Sequence, residues 1–394
     1  MSATLFDLAQ RFRAATLGCP VARASYAPVL PPVEPVAVSL AGSRDRVLVR
    51  ASDGIGLTTG SGPGALSALA DLGVSTGGEV RTLVVADRDT LSALLDLARA
   101  TDRDSASAGA AAVLGWWSQR ADHPGAGAVL MVIPACSARW VLGVPPATER
   151  RLEVWRQWLG VADAGPSGLL QLASTVSAGR TLPGLEAFVE DDLRSWEAFT
   201  DRVNDSTTPW DWRARDSRRE AALGLATRCD AAELYESLRL GDPLVALRES
   251  FSGTVVSGVL SAMHSRSVVE LTLDHLACRL REGTAVEGYP GDPRDLPAGG
   301  AASPALRGTV TASCVTADER LVLTISEAIL RPQQARIGQH ITLRPRAIDP
   351  RQQRSGRQEL HRRYAARRSW LSGGPPPAPR RRDVPLDVAI AAAE

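Results

Sequence analysis

From residue 36 onward the chain alternates short apolar runs with stretches whose apolar residues recur at helical spacing. Val36 to Leu40 and Arg46 to Arg50 read as strands, Ala65 to Leu72 as a helix, Glu79 to Ala86 as a strand and Asp89 to Ala100 as a helix. A helix ending near Arg120, strands at Ala128 to Ile133 and Arg139 to Gly143, and a helix at Ala147 to Leu159 continue the alternation. An amphipathic helix over residues 4–16 and a connector through Pro20, Pro28, Pro31, Pro32 and Pro35 come before it. The pattern predicts a mixed α/β domain over residues 1–165.

Between Pro166 and about Ser250 the two-residue period disappears. Leu169 to Val176, Gly184 to Val203, Ser217 to Arg228, and Ala231 to Glu249 with a break at Gly241 to Pro243 all carry helical spacing, which predicts a helical middle domain over residues 166–250.

Beyond residue 250 strands return, with an internal similarity. Gly253-Thr254-Val255 matches Gly308-Thr309-Val310; Leu271-Thr272-Leu273 matches Leu323-Thr324-Ile325; Arg279 matches Arg331; and Gly283 with Val286 matches Gly338 with Ile341. Two β modules, residues 251–290 and 305–348, follow from this, either as paired small β-barrels or as one barrel of two halves. The stretch from Gly288 to Pro304, rich in Gly, Pro, Asp and Ala, separates them. The fold class expected is therefore α+β and multidomain, closed by an Arg-rich helical tail over residues 349–394.

That tail opens with Asp349-Pro350, an N-cap and first-turn proline, and its helical pattern runs to Leu371 before Gly373 and Gly374. Leu360, Tyr364 and Leu371 fall within about 40° of one another at 100° per residue, with arginines around them. The stripe is too narrow for burial between elements and wide enough to dock on a surface. Pro375 to Pro377 and Arg380 to Arg382 form a stiff basic linker into a short apolar end, Val384 to Ala393.

Composition changes the picture at one point. The 394 residues include 45 basic ones, and every one is arginine. Without lysine there is no Walker A loop, no protein-kinase strand lysine and no Schiff-base amine. A coding bias towards Ala, Gly, Pro and Arg explains the absence without reference to function; selection for a permanent charge with forked phosphate geometry is the other reading. The net charge of +1 hides an asymmetry. Residues 1–330 carry 31 Arg against 39 Asp and Glu, residues 331–382 carry 14 Arg against Asp349 and Glu359 alone, a net of +12, and the last twelve residues carry −3.

The remaining motifs are weaker. Cys19, Cys136, Cys229, Cys278 and Cys314 are spread singly, a pattern that fits a reducing cytoplasm. Arg11 and Arg13 interrupt any signal-peptide core, and Arg139 interrupts the most apolar run, Ala128 to Val144, so neither a secretory signal nor a membrane span is expected. Gly73-Val74-Ser75-Thr76-Gly77 matches the hydrolase elbow pattern, but a helix precedes it and a strand follows, the reverse of what that elbow requires. Gly60-Ser61-Gly62-Pro63-Gly64 opens a helix and could face an anion, although Pro63 removes a donor and the dinucleotide spacing is absent. Asp274, His275 and Cys278 have a spacing a metal could use but no second ligand pair, so core packing is the expected role. Glu190, Asp191 and Asp192 read as a solvated helix face, and most tryptophans as core anchors. Trp210-Asp211-Trp212-Arg213, in a Ser/Thr/Pro loop, fits either a stacking surface or a packed linker.

The expectation that follows is a non-enzymatic, cytoplasmic nucleic-acid-binding protein in DNA or replicon maintenance or regulation, needing no cofactor or metal. Arg351, Arg354, Arg357, Arg362, Arg363, Arg367 and Arg368 would contact phosphates, and Tyr364 and Trp370 would stack on bases. Two alternatives stand beside it. One is an adaptor whose basic tail docks on an acidic protein partner. The other is an α/β enzyme using the Gly60 to Gly64 loop.

Overall fold

The structure, a computed structural model, describes residues 5–43, 46–75, 78–103, 105–205, 211–214, 216–296, 303–331 and 335–346, with positions 355, 356, 358, 359 and 362 beyond them. It is mixed α+β. Residues 1–214 and 231–348 form one compact unit, and residues 215–230 and 349–394 a second.

The first unit opens with α1 (Leu5–Leu17) and a short strand β1 (Val21–Ala22). A five-stranded sheet follows, from β2 (Val36–Ser43), β3 (Arg46–Ser52), β4 (Leu57–Ser61), β5 (Leu83–Val85) and β6 (Val129–Met131), in the order β4-β3-β2-β5-β6. The first three form an antiparallel meander, and β5 and β6 extend it in parallel. The pleat sends alternate residues to opposite faces. Val36, Val38, Leu83 and Val85 enter one core, while Ala37, Val84 and Leu130 enter the other.

Helices cover both faces. The first core takes Leu66 and Leu69 of α2 (Pro63–Gly73), Leu91 and Leu94 of α3 (Arg88–Ala100), and Trp116 and Trp117 of α4 (Ala108–Ala121). The second takes Ile133 and Cys136 of α5 (Val132–Arg139) and Trp155 of α6 (Leu152–Leu159). Between these two helices lies β7 (Trp140–Val141), paired with β1. The stretch expected as a helical middle also serves this sheet: Leu169, Leu172 and Val176 of α7 (Pro166–Ser177) fill the second core, and Trp196 and Phe199 of α8 (Glu186–Asn204) the first. Each fully buried side chain of this size contributes roughly 1.5–3 kcal/mol. Then come α9 (Arg218–Arg239) and α10 (Pro243–Ser252). Asp242 caps α10, accepting from the Leu244 amide at 2.8 Å, and Gly253 ends it at φ +76°.

Several local expectations change, among them the Arg139 to Gly143 strand, which is reduced to β7. The strand expected over Glu79 to Ala86 shortens to β5. The apolar run from Ala128 to Ile133 is strand only to Met131, and then turns into α5, whose Pro134 sits in the first turn where a missing amide costs nothing. Polar β4, Leu-Thr-Thr-Gly-Ser, escapes the hydrophobic pattern because it is an edge strand with half its side chains in water.

Of the two readings of the β modules, the barrel of two halves is the one found. β8 (Val256–Ser265), β9 (Val268–Leu273) and β10 (Ala285–Pro290) from the first segment, and β11 (Leu306–Val315), β12 (Leu321–Leu330) and β13 (His340–Pro345) from the second, close one six-stranded barrel in the order β10-β11-β12-β9-β8-β13. Neither segment closes alone, because β9 finds its second neighbour in β12, and β10 lies between β11 and β13. The halves are related by an approximate twofold. Leu260 donates its amide to the Gln339 carbonyl and Val310 to the Thr284 carbonyl, both at 2.9 Å, and each carbonyl of Leu260 and Val310 accepts from Gly338 and Gly283, both at 2.8 Å.

This symmetry re-registers the repeat. Gly308 corresponds to Gly258, not to Gly253. Both sit at inward positions two residues before matching register shifts, at Leu260/Ala262 and Val310/Ala312. A Cβ at Gly258 would overlap the Thr272 carbonyl oxygen of the neighbouring strand, and one at Gly308 would lie 2.8 Å from the Ser326 carbonyl oxygen. The apolar triplets shift by two, pairing Leu271 with Ile325 across the halves, which leaves every side chain on its face. The matches of Gly283 with Gly338, at φ +86° and +84°, and of buried Val286 with Ile341 hold.

Gly258→Ala is expected to destabilise the barrel by about 2–4 kcal/mol, since backbone rather than a movable side chain meets the new methyl. Gly283→Ala, with open space around it and only its left-handed backbone against it, is expected to cost about 1–2 kcal/mol. Urea unfolding of the two variants measures the difference, and a reversed order would refute the close approach at Gly258.

Candidate functional site

At one end of the barrel, burial alternates along β9 until Leu273, and the next residue, Asp274, emerges at the surface with its amide held by the Ser257 carbonyl at 2.9 Å. There its carboxylate meets His340, the first residue of β13: Oδ2 stands 2.7 Å from Nε2. The other ring nitrogen, Nδ1, faces the Gly291 carbonyl at 3.2 Å, and Thr342 Oγ1 donates to the same carbonyl at 2.7 Å. Both ring nitrogens thus face acceptors, which the doubly protonated ring satisfies. Burial by itself lowers the imidazole's pKa. The hydrogen bonds to Asp274 and Gly291, with the charges of Asp274 and Asp292, outweigh that and raise it above its usual value.

Two clefts flank this pair, of about 490 and 170 Å³, and Asp274 and His275 line both. Their linings carry both signs, Arg320 and Arg294 beside Glu319, Asp292 and Asp274. Both ring nitrogens are occupied within the protein, and the pair links the end of β9 to β13. Among the described residues no group of three His, Cys, Asp or Glu side chains could hold a metal ion.

Asp274 and His275 were expected in the core and are found at the surface, because β9 ends at Leu273 and its pleat no longer turns them inward. Cys278 does pack against the barrel core. The Gly60 to Gly64 segment is a tight turn in which Ala65 donates to the Gly62 carbonyl at 3.2 Å and Ala65 Cβ lies 3.0 Å from where a Gly60 Cβ would be. Gly73 is the last residue of α2 and Ser75 lies in the turn after it, and a Cβ at Gly73 would overlap the Trp117 ring. Trp212 packs against α4 over Gly115, with Arg213 above it, so this part of the Trp/Arg loop is a packed linker; Trp210 lies outside the described residues.

The acidic run on α8 also differs from expectation. Glu190 is solvated, but Asp192 is buried: it accepts from Arg120 Nε at 2.6 Å and from the Gly127 and Ala128 amides at 2.7 and 3.0 Å. Burial raises its pKa against the pull of Arg120. Sequence spacing could not reveal this role, since the partners lie 64 to 72 positions away.

Of the residues expected to bind nucleic acid, Arg351, Arg354, Arg357, Arg363, Tyr364, Arg367, Arg368 and Trp370 lie outside the described residues. Arg362 is helical and pairs with Glu359 at 3.5 Å. No helix among the described residues is long and apolar enough to cross a membrane. Comparison with family models, curated proteins and solved structures gave no match.

Removal of the Asp192 carboxylate in Asp192→Ala leaves Arg120 buried without its main counter-charge, and a loss of about 3–5 kcal/mol is expected in chemical denaturation. The His340 contribution has the opposite pH signature from an ordinary carboxylate. With its folded pKa raised, the stability that separates the wild-type chain from His340→Gln is expected to be full below about pH 6.5 and to fade as pH rises through the folded value. The pair is partly exposed, so the gap is about 0.2–1 kcal/mol. Equal gaps at pH 5.5 and pH 8.5 would show that the ring is not charged in the folded state.

Proposed function

We propose that the protein binds nucleic acid through the arginine-rich segment that follows the barrel, and that it acts in the maintenance or regulation of DNA. The observation that carries this reading is the difference in how arginine is matched along the chain. Before residue 331, Arg11, Arg23, Arg81, Arg88, Arg120, Arg213 and Arg239, among others, stand in ion pairs with nearby carboxylates. From residue 331 to 382, 14 arginines meet two acidic residues; Arg344 reaches back to Glu287 in the barrel, and Glu359 pairs with Arg362. Counter-charge for the rest has to come from outside the segment, and a phosphate backbone supplies it with release of condensed cations. Guanidinium groups add forked hydrogen bonds to phosphate oxygens, and Tyr364 and Trp370 lie among them at positions suited to stacking. The barrel clefts, lined by Arg294 and Arg320 beside Asp274, Asp292 and Glu319, hold no comparable excess of arginine.

Fluorescence anisotropy of labelled single-stranded DNA, duplex DNA and RNA tests the reading. A full chain engaging six to ten phosphates is expected to lose about 10³–10⁵ in affinity between about 50 and 200 mM salt. Replacing Arg351, Arg354, Arg357, Arg362, Arg363, Arg367 and Arg368 with Gln is expected to flatten that slope and abolish most binding. Absence of binding at low salt, or a slope that survives the substitutions, would refute it, and capture of an acidic protein through the same arginines would favour an adaptor role instead.

A further inference from the structure

The last strand of the barrel delivers the arginine-rich segment at a fixed place. Arg346, the residue after β13, donates its amide to the Ala285 carbonyl at 2.9 Å, so the chain leaves the barrel beside the first residue of β10. The loop that leads into β10 lies at the same place. Its turn is closed twice, by the Thr284 amide on the Arg281 carbonyl at 3.0 Å and by the Arg281 amide on Thr284 Oγ1 at 3.2 Å. Gly283, at φ +86°, is pinned to the Val310 carbonyl at 2.8 Å, and the Arg279 amide to the Gly253 carbonyl at 2.8 Å. Leu280 is buried in the barrel core, while Arg279 and Arg281 on either side of it are exposed. Such a turn spans less than about 7 Å and paired strands stand about 5 Å apart, which sets Arg281 within about 15 Å of Arg346.

We propose that Arg279, Arg281 and Arg346 form a phosphate-contact site on the barrel that continues the nucleic-acid path of Arg351 to Arg368, an inference that rests on the nucleic-acid reading above. Among the described residues, no carboxylate stands within ion-pair distance of any of the three. The acids around them are Glu282, exposed in the same turn, Glu249, taken up by Arg248 and Ser252, and Glu287, taken up by Arg344. Three guanidinium groups this close repel one another, and a shared phosphate backbone relieves the repulsion. Their backbone is already fixed by hydrogen bonds, so a contact here orders side chains alone. Other exposed arginines without carboxylates, Arg13 on α1, Arg151 before α6 and Arg266 in the β8–β9 turn, are scattered. What distinguishes the site is the course of the chain, since Arg351 is five residues past Arg346, no more than about 18 Å of extended backbone.

Anisotropy titration of the full chain, with its tail intact, against labelled single-stranded and duplex DNA over a salt series measures the contribution of the three. Arg279→Gln with Arg281→Gln and Arg346→Gln is expected to weaken binding at least about 10-fold at about 50 mM salt and to make the slope of log affinity against log salt shallower by about 2–3. Arg13→Gln with Arg151→Gln and Arg266→Gln makes the same change in net charge and is expected to stay within about threefold of the wild-type affinity, with its slope unchanged. Both variants should keep the wild-type circular dichroism; if the first does not, Arg281→Gln alone, at an exposed turn, is expected to make the slope shallower by about 0.7–0.9. A slope that the three barrel substitutions leave unchanged, while the seven tail substitutions abolish binding, would overturn this inference and leave the tail reading standing. Equal weakening by the scattered variant would overturn it too, as an effect of net charge. Absence of binding by the wild-type chain at low salt would overturn both.

Discussion

A guanidinium taken out of water has to be met by acceptors, and the joints of this fold are built where that condition is satisfied. Arg120 ties α4 to α8 and, through Asp192, to the turn that leads into β6. Arg11 ties α1 to Glu149, which also receives the Leu142 amide. Arg139 reaches from α5 to Thr181 and the Arg180 carbonyl. In the barrel, Arg344 of β13 reaches Glu287 of β10 at 2.6 Å, the Tyr289 hydroxyl at 3.0 Å and the Leu240 carbonyl at 2.9 Å, joining the barrel to the helices before it. Burial pushes the Tyr289 hydroxyl up to about 12, outweighing the nearby Arg344 charge, so it stays a neutral member of that network. In a chain without lysine every interior cation is of this forked kind, and each reaches several elements at once.

Acidic partners for arginine are unevenly spread along the chain. Where carboxylates are plentiful, arginine is structural, spent on joints between helices and strands. After the barrel the sequence supplies few: residues 351–382 hold ten arginines and Glu359 alone.

Much of the architecture was legible in the hydrophobic pattern. The alternation through Val36, Ala37 and Val38 marked a strand with two covered faces, and Leu91, Leu94 and Ala98 marked the inner side of α3. The halves of the barrel were visible in Gly283 and Gly338, because a left-handed turn leaves few alternatives to glycine. The register between them was not, since Gly253-Thr254-Val255 matches Gly308-Thr309-Val310 in sequence, and only the strand pairing identifies Gly258 as the counterpart of Gly308. Asp192 was hidden because its role is created by a partner on another helix. The pair of Asp274 and His340 was hidden for the same reason: 66 positions lie between its members, and barrel closure brings them together. Of the arginine-rich candidates, composition alone was readable, and their charge excess does not depend on the fold around them.

Closure of the barrel by its last strand bears on how the chain is made. The sheet around β2 can assemble while later segments are still being synthesised, but β8 and β10 both wait for β13. About 90 residues separate the start of β8 from the end of β13, roughly 5–18 s of synthesis at ordinary translation rates. Through that interval β8 and β9 sit on the ribosome as a hairpin with open edges, exposed to whatever strand comes near. Nascent chains from one message, threaded close together on a polysome, hold such hairpins in excess of their own closing strands, so exchange of half-barrels between neighbours is the natural error of this fold, and its avoidance rests on how quickly β13 arrives.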